Sequence, residues 1–227
     1  MLNNNITFGL FLTLFFYYIG MILSKKIKLS LFNPLIIATI LLISFLSIFH
    51  IDFYDYEYGA KYVSYLLNMA TVSLALPLYR ELNHLKRNFL AITTGIIIGV
   101  ISSFLTILFM CKFFNLEFKE FVTLLPKSIT TAIGMPMSED LGGYPQITAV
   151  SIVITGLLGN IICSFVFKFL KIKNPVSRGL ALGSASHAMG TSKAMELGEL
   201  EGAISSLSLA FSGILTVLFS QFFIGFY

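Results

Sequence analysis

Residues 124–146 read LLPKSITTAIGMPMSEDLGGYPQ. Long apolar runs flank the stretch, so a bilayer would surround it, yet it carries Lys127, Ser128, Thr130, Thr131, Ser138, Glu139 and Asp140. Hydrocarbon offers polar groups no partners, so such a stretch persists there only inside protein or beside a watery cavity. Pro136 lacks an amide hydrogen and Gly134 is a weak helix former, which predicts a helix break here. Two half-helices meeting near the midplane, with their exposed ends and hydroxyls, would make a small polar site.

Composition places the rest of the chain around that site. Of 227 residues, 56% are hydrophobic and 11% charged, and the mean hydropathy is +0.87. A soluble domain carries roughly a quarter charged residues, so the chain reads as an integral membrane protein. The formal charge of +4 sits in short loops between apolar runs, which excludes a nucleic-acid face. There is no Trp, and Tyr17, Tyr18, Tyr54, Tyr56, Tyr58 and Tyr62 fall near span ends as an interfacial belt. Cys111 and Cys163 lack metal-ligand spacing and read as packing residues; no metal or cofactor is expected.

Apolar runs at 6–23, 33–51, 62–79, 88–110, 147–170 and 203–226 are the expected spans. The first is too long for a signal-peptide core, so it is expected to remain as a span. Lys25, Lys26 and Lys28 follow it, whereas the next loop holds Asp52, Asp55 and Glu57 against Lys61. The positive-inside rule then puts the N-terminus outside and the loops at Arg80, Lys86, Arg87 and at Lys168–Arg178 in the cytoplasm. A full crossing by 124–146 would contradict that sign. A re-entrant hairpin there resolves the conflict, and so does an extra half-helix within 104–126. Gly95 and Gly99 in GIIIG predict close approach of a neighbouring helix.

A second polar insertion, GLALGSASHAMGTSKAME at 179–196, is crowded with Gly and Ser around His187. Gly190 is read as its interruption, with Thr191 placed to cap a new helix start. An offset of 59 residues also lays LLNMATVSLALPLYREL (66–82) on LPKSITTAIGMPMSEDL (125–141), matching Thr71 with Thr130 and Pro77 with Pro136. After two inserted residues Thr94-Gly95 meets Thr155-Gly156, and Ser103-Phe104 meets Ser164-Phe165. Interrupted segments at matched positions of two halves point to a transporter's midplane site. The expected architecture is one all-α transmembrane domain over 1–227. It is a multi-span bundle with two Pro/Gly-broken segments, re-entrant or discontinuous, and inverted repeat-like halves near 62–110 and 120–170.

KSITTAIGMPMSEDLGG, TAVSIVITGLLGN, RGLALGSASHAMGTSKAME and EGAISSLS, with NPLIIA and LNMATVSLALPLY upstream, closely resemble the LrgB/CidB family. That resemblance implies an antiholin-like or holin-like role, paired with a small LrgA/CidA-type membrane protein and linked to murein hydrolase activity and lysis. It also implies kinship with carriers of small organic acids: plastid glycolate/glycerate translocators and bacterial pyruvate facilitators. The wider superfamily implied is that of cation antiporters and bile-acid-type carriers with inverted repeats and crossed, broken helices. Ion-coupled antiporters of that kind place an acid at the crossing; here the breaks read SLALPL and TAIGMP, with Glu139 and Asp140 a turn beyond. The resemblance implies a bacterial cytoplasmic membrane.

A helix start presents unpaired amides and about half a positive charge, suited to a carboxylate. The amides after Pro136 and after Gly190 are the two expected positions. Thr71, Ser128, Thr130, Thr131, Ser186 and Thr191 are the hydroxyls expected to bind a small organic anion; interhelical or own-backbone bonding is the alternative for each. Lys127 attracts the anion or snorkels to the interface. His187 binds, couples a proton, or makes a packing hydrogen bond. Glu139 is a gate or a solvated hairpin end. Lys193 and Glu196 are expected to pair. Metalloprotease, P-loop and nucleophile-elbow signatures are absent, and adjacent Ser186 and His187 would point about 100° apart on a helix. The expectation is therefore not an enzyme but a carrier of glycolate-, glycerate-, pyruvate- or lactate-like monocarboxylates working by alternating access. The alternative is a holin- or antiholin-type pore or regulator. The lipid bilayer, an LrgA/CidA-like protein and a homodimer are the expected partners.

Overall fold

The computed structural model describes residues 6–27, 34–73 and 75–227; the side chains of Thr71 and Pro77 fall outside that description. The described residues form α-helices, with no strand among them. Four are long and apolar enough to cross a membrane: Ile6–Lys26, Phe89–Phe113, Pro145–Phe169 and Glu199–Ile224. A 25-residue helix rises about 37 Å at 1.5 Å per residue, more than the roughly 30 Å of hydrocarbon. The chain divides into two compact units, Met1–Ser73 and Leu74–Tyr227.

In the first unit, α1 (Ile6–Ile27) packs on α2 (Pro34–Ile48) and α3 (Phe53–Ser73). Glycines let the backbones touch. A Cβ at Gly20 would stand 2.4 Å from Pro34 O, and one at Gly9 2.0 Å from Tyr56 O. Leu12, Phe16 and Ala38 form the small core.

The second unit begins with α4 (Ala75–Arg80) and α5 (Leu82–Arg87), and its first long helix is α6 (Phe89–Phe113). Of the expected run 62–79, residues 62–73 and 75–79 are helical, and Leu74 lies outside the described residues. Pro77 lies within the helical residues Ala75–Arg80. Ile92, Ile96, Val100, Phe104, Ile107 and Cys111 recur every three or four residues and bury one face of α6. Cys111 and Cys163 are both free and buried, as packing residues should be.

After α6 come α7 (Phe118–Leu124), α8 (Thr131–Asp140), α9 (Pro145–Phe169), α10 (Pro175–Leu197) and α11 (Glu199–Ile224). A capping box between Glu117 and Glu120 starts α7, with Glu117 N donating to Glu120 Oε2 at 2.8 Å. Lys112 Nζ reaches Phe226 O at 2.7 Å, so α6 and α11 end on the same side. The start of α9 is tied to α7, since the Thr148 hydroxyl donates to Thr123 O at 2.8 Å. Its far end meets both ends of α10, with Phe167, Arg178 and Leu197 lining one cavity. Glycine contacts align α10's first half with the starts of α6 and α11: Gly95 faces Leu180, and Gly179 faces Glu201 and Ile204. Hence α6 and α11 run one way and α9 the other.

Candidate functional site

The break in the quoted stretch lies earlier than Gly134 and Pro136. It falls in the turn 125–130, between α7 and α8, where Leu125, Pro126 and Ile129 are buried. Gly134 and Pro136 are both inside α8. Pro136 deprives the Ala132 carbonyl of its donor four residues on, but the residue is exposed and the helix continues past it. Gly134 serves packing instead: a Cβ there would stand 2.6 Å from Ile152 Cδ1. From the turn, α8 runs back towards α7. Ser138 Oγ lies 2.7 Å from the Thr148 hydroxyl, and Tyr144 N donates to Thr123 Oγ1 at 2.9 Å. Residues 118–140 thus form a helical hairpin in which buried Ser138 and Thr148, where α8 ends and α9 begins, clamp it to buried Thr123 near the end of α7.

A second hairpin occupies α10. Its helical dihedrals fail at Ser186 (φ −129°, ψ 15°) and His187 (φ 43°, ψ −134°), not at Gly190 and Thr191. A positive φ is strained for any residue but glycine, and here it reverses the chain. Gly190, four residues past Ser186, packs where a Cβ would stand 2.2 Å from Leu182 O, four residues before it. Thr191 is not a cap; its hydroxyl donates to His187 O at 3.0 Å and lies 2.9 Å from Ser205 Oγ. Along α11, Gly183 meets Ser205 and Ser208 while Gly202 meets Met195, so the two halves of α10 run in opposite directions.

Both hairpin tips come to rest on α6 and α9. On α6, Ser103 Oγ shares a 3.0 Å hydrogen bond with Ser128 Oγ, and one turn away Gly99 faces Ser184. On α9, Ile152 serves both tips: its side chain fills the notch at Gly134, and its carbonyl lies 2.9 Å from His187 Nε2. A carbonyl can only accept, so Nε2 carries the hydrogen. The sequence TGLLGN makes the seat. A Cβ at Gly156 would meet His187 Cε1 at 2.5 Å, and one at Gly159 would meet Ser186 Oγ at 1.7 Å. Asn160 Nδ2 donates to Met189 O at 3.3 Å, pairing a carbonyl of the reversed chain.

Sequence-based site residues fare unequally. Lys127 and Ser128 are together at the first tip, half-buried, with Lys127 Nζ 3.4 Å from Ser128 Oγ. Thr130 is the N-cap of α8 and Thr131 its first residue; Thr130 makes no side-chain capping bond. Ser186, His187, Gly190 and Thr191 are buried at the second tip. Glu139 is exposed at the root of the first hairpin, away from both tips. Lys193 Nζ pairs with Glu196 at 2.7 Å as expected. Ser103, Gly156, Gly159 and Asn160 were missed as site residues. The paired glycines of TGLLGN were the available signal, of the same kind as GIIIG.

The arrangement places two helix starts inside the bundle, α8 and the second half of α10. Each brings unpaired amides and a partial positive charge. Beside them stand the Lys127 ammonium and several hydroxyls, a set that suits a small anion.

Residues 13–226 match the LrgB-like family. The antiholin-like protein LrgB of Bacillus cereus is 34% identical over 220 residues, covering 96% of each chain. Its namesake in Bacillus anthracis matches to the same extent. No solved structure matches the chain. A match over almost the full length means that the chain belongs to the LrgB-like family.

Proposed function

We propose that this protein is a membrane carrier for small organic monocarboxylates of the glycolate, glycerate, pyruvate or lactate kind. What carries the reading is the meeting of two hairpins, rooted at opposite ends of α9, on neighbouring turns of α6 and α9. In this reading both hairpins re-enter the membrane. The one at 118–140 enters from outside, and the one at 175–197 from the cytoplasm, where Lys168, Lys171, Lys173 and Arg178 lie. The N-terminus is outside, and the membrane is the bacterial cytoplasmic one. The opposite courses of α6 and α9 favour an inverted relation between 62–110 and 120–170.

The anion rests against the uncapped amides of α8, with the Thr130 and Thr131 hydroxyls and the Lys127 ammonium around it. Alternating access follows if one hairpin withdraws while the other stays seated. His187 holds the second tip through Ile152; its Nδ1 is then the ring atom that takes up a coupled proton.

A second reading is favoured by the name of the relatives, that of an antiholin-like protein; the family resemblance adds a small LrgA-type membrane partner to it. Reconstituted vesicles separate the two. Labelled pyruvate or glycolate should enter saturably with the wild type, at least ten-fold more slowly with Thr131→Val, while trapped carboxyfluorescein stays inside. Absence of uptake under imposed proton and potential gradients, with the LrgA-type partner present, overturns the carrier. Unsaturable passage of acid and dye alike supports the antiholin-type pore.

A further inference from the structure

Beyond the hairpin tips, the second unit has a cavity of about 370 Å³ where α9 ends and α10 begins. Lys168, Lys171, Lys173 and Arg178 line it over an apolar floor of Phe167 and Leu197. We propose that this cavity binds the phosphate headgroup of an anionic phospholipid. The site is independent of whether the protein carries acids.

The four cations lack local neutralisation. Glu196 and Glu199 flank the lining Leu197, but Glu196 is held by Lys193 at 2.7 Å and Glu199 by Arg80 at 3.3 Å. Among the described residues, no carboxylate lies within ion-pair distance of the four. Arg178 is fixed in place: its Nε donates to Ile172 O at 2.9 Å, and its guanidinium lies 5.7 Å from the Phe167 ring centroid. Both Nη groups are left for a ligand. Lys171, at φ 54°, is the left-handed residue where the chain leaves α9. Fixed Arg forks beside mobile Lys ammoniums are suited to phosphate.

Lipid, rather than a soluble phosphate, follows from where the cavity lies. It sits at the end of a membrane-length helix, where headgroups are found. Phe165, Phe169 and Leu170 are 70%, 73% and 60% exposed beside it, an apolar surface for acyl chains to follow. Basic clusters at span ends on the cytoplasmic side attract anionic lipid through the same field. A lipid held between Arg178 and Leu197 touches both roots of the α10 hairpin and so braces it.

The test is native mass spectrometry of the full chain in detergent, titrated with phosphatidylglycerol or phosphatidylcholine. One phosphatidylglycerol should stay bound, at least ten-fold more tightly than phosphatidylcholine. The K168Q/K171Q/K173Q variant should lose that adduct, K168R/K171R/K173R should keep it, and K25Q/K26Q should keep it too. Equal loss in the Lys25/Lys26 variant, or retention in the triple Gln variant, overturns the site. Stoichiometric binding of inorganic phosphate or glycerol 3-phosphate without a lipid adduct assigns a soluble ligand and overturns the lipid.

Discussion

His187 is the residue on which the second tip turns. Its φ of 43° is unfavourable for a side-chain-bearing residue, and its ring is held by the Ile152 carbonyl at 2.9 Å. The two contributions can be separated. His187→Ala keeps the backbone strain and loses the ring bond, whereas His187→Gly loses the bond but relieves the strain. The Gly variant should therefore be more stable than the Ala variant by about 1–2 kcal/mol, measured by thermal unfolding in detergent. Equal melting of the two variants would mean that the reversed backbone is unstrained. At the first root, the Thr148 hydroxyl bonds Thr123 O and approaches Ser138 at zero exposure. Thr148→Val strands these buried groups and should cost about 1–3 kcal/mol; a melting temperature equal to wild type would contradict that clamp.

At the scale of elements, α9 works as a rail whose small residues admit the α10 hairpin. Gly156 and Gly159 leave room for His187 and Ser186, in positions where any Cβ would collide. Gly156→Ala should push the ring off Ile152 and cost about 1–3 kcal/mol by overpacking, read as a lower melting temperature in detergent. Pro136 makes the opposite case. It is exposed and its ring removes one hydrogen bond within α8. Pro136→Ala should restore that bond and leave the melting temperature unchanged or raised, by up to about 3 kcal/mol in stability. A clear loss of stability would show that the proline ring is itself a packing element.

At the scale of the whole molecule, the second unit contains three membrane-length helices and two hairpins that point at each other. That layout makes a topological prediction. In a background with Cys111 and Cys163 replaced by Ser, single cysteines at Lys173 and Asn174 should react with a membrane-impermeant maleimide only from the cytoplasmic side. Cysteines at Glu117 and Asp140 should react only from outside. Labelling of Glu117 and Asp140 from opposite faces would mean that 118–140 crosses the membrane fully. The layout also accounts for the conflict between the signs of the loops and a full crossing by 124–146. A hairpin consumes polar sequence without changing sides.

Much of this was legible in advance, because some forces act locally. Apolar runs of membrane length, basic loops, the approach permitted by GIIIG and the Lys193–Glu196 pair depend on hydropathy and helical spacing, which sequence carries by itself. So does the presence of two polar insertions that hydrocarbon would reject. The positions of the breaks did not follow from local propensity. Proline and glycine at 134–136 and glycine at 190 marked weak points, yet the chain turns at 125–130 and at Ser186–His187. A helix can absorb one exposed proline for the loss of a single bond, whereas a reversal needs space and partners on a neighbour. Those came from α6 and α9, through Ser103, Ile152, Gly156, Gly159 and Asn160. Sequence alone thus determined that two polar insertions interrupt the apolar runs of this protein. Where they fold back was decided only by the tertiary structure, since room and hydrogen-bond partners are properties of packed helices and not of any one stretch.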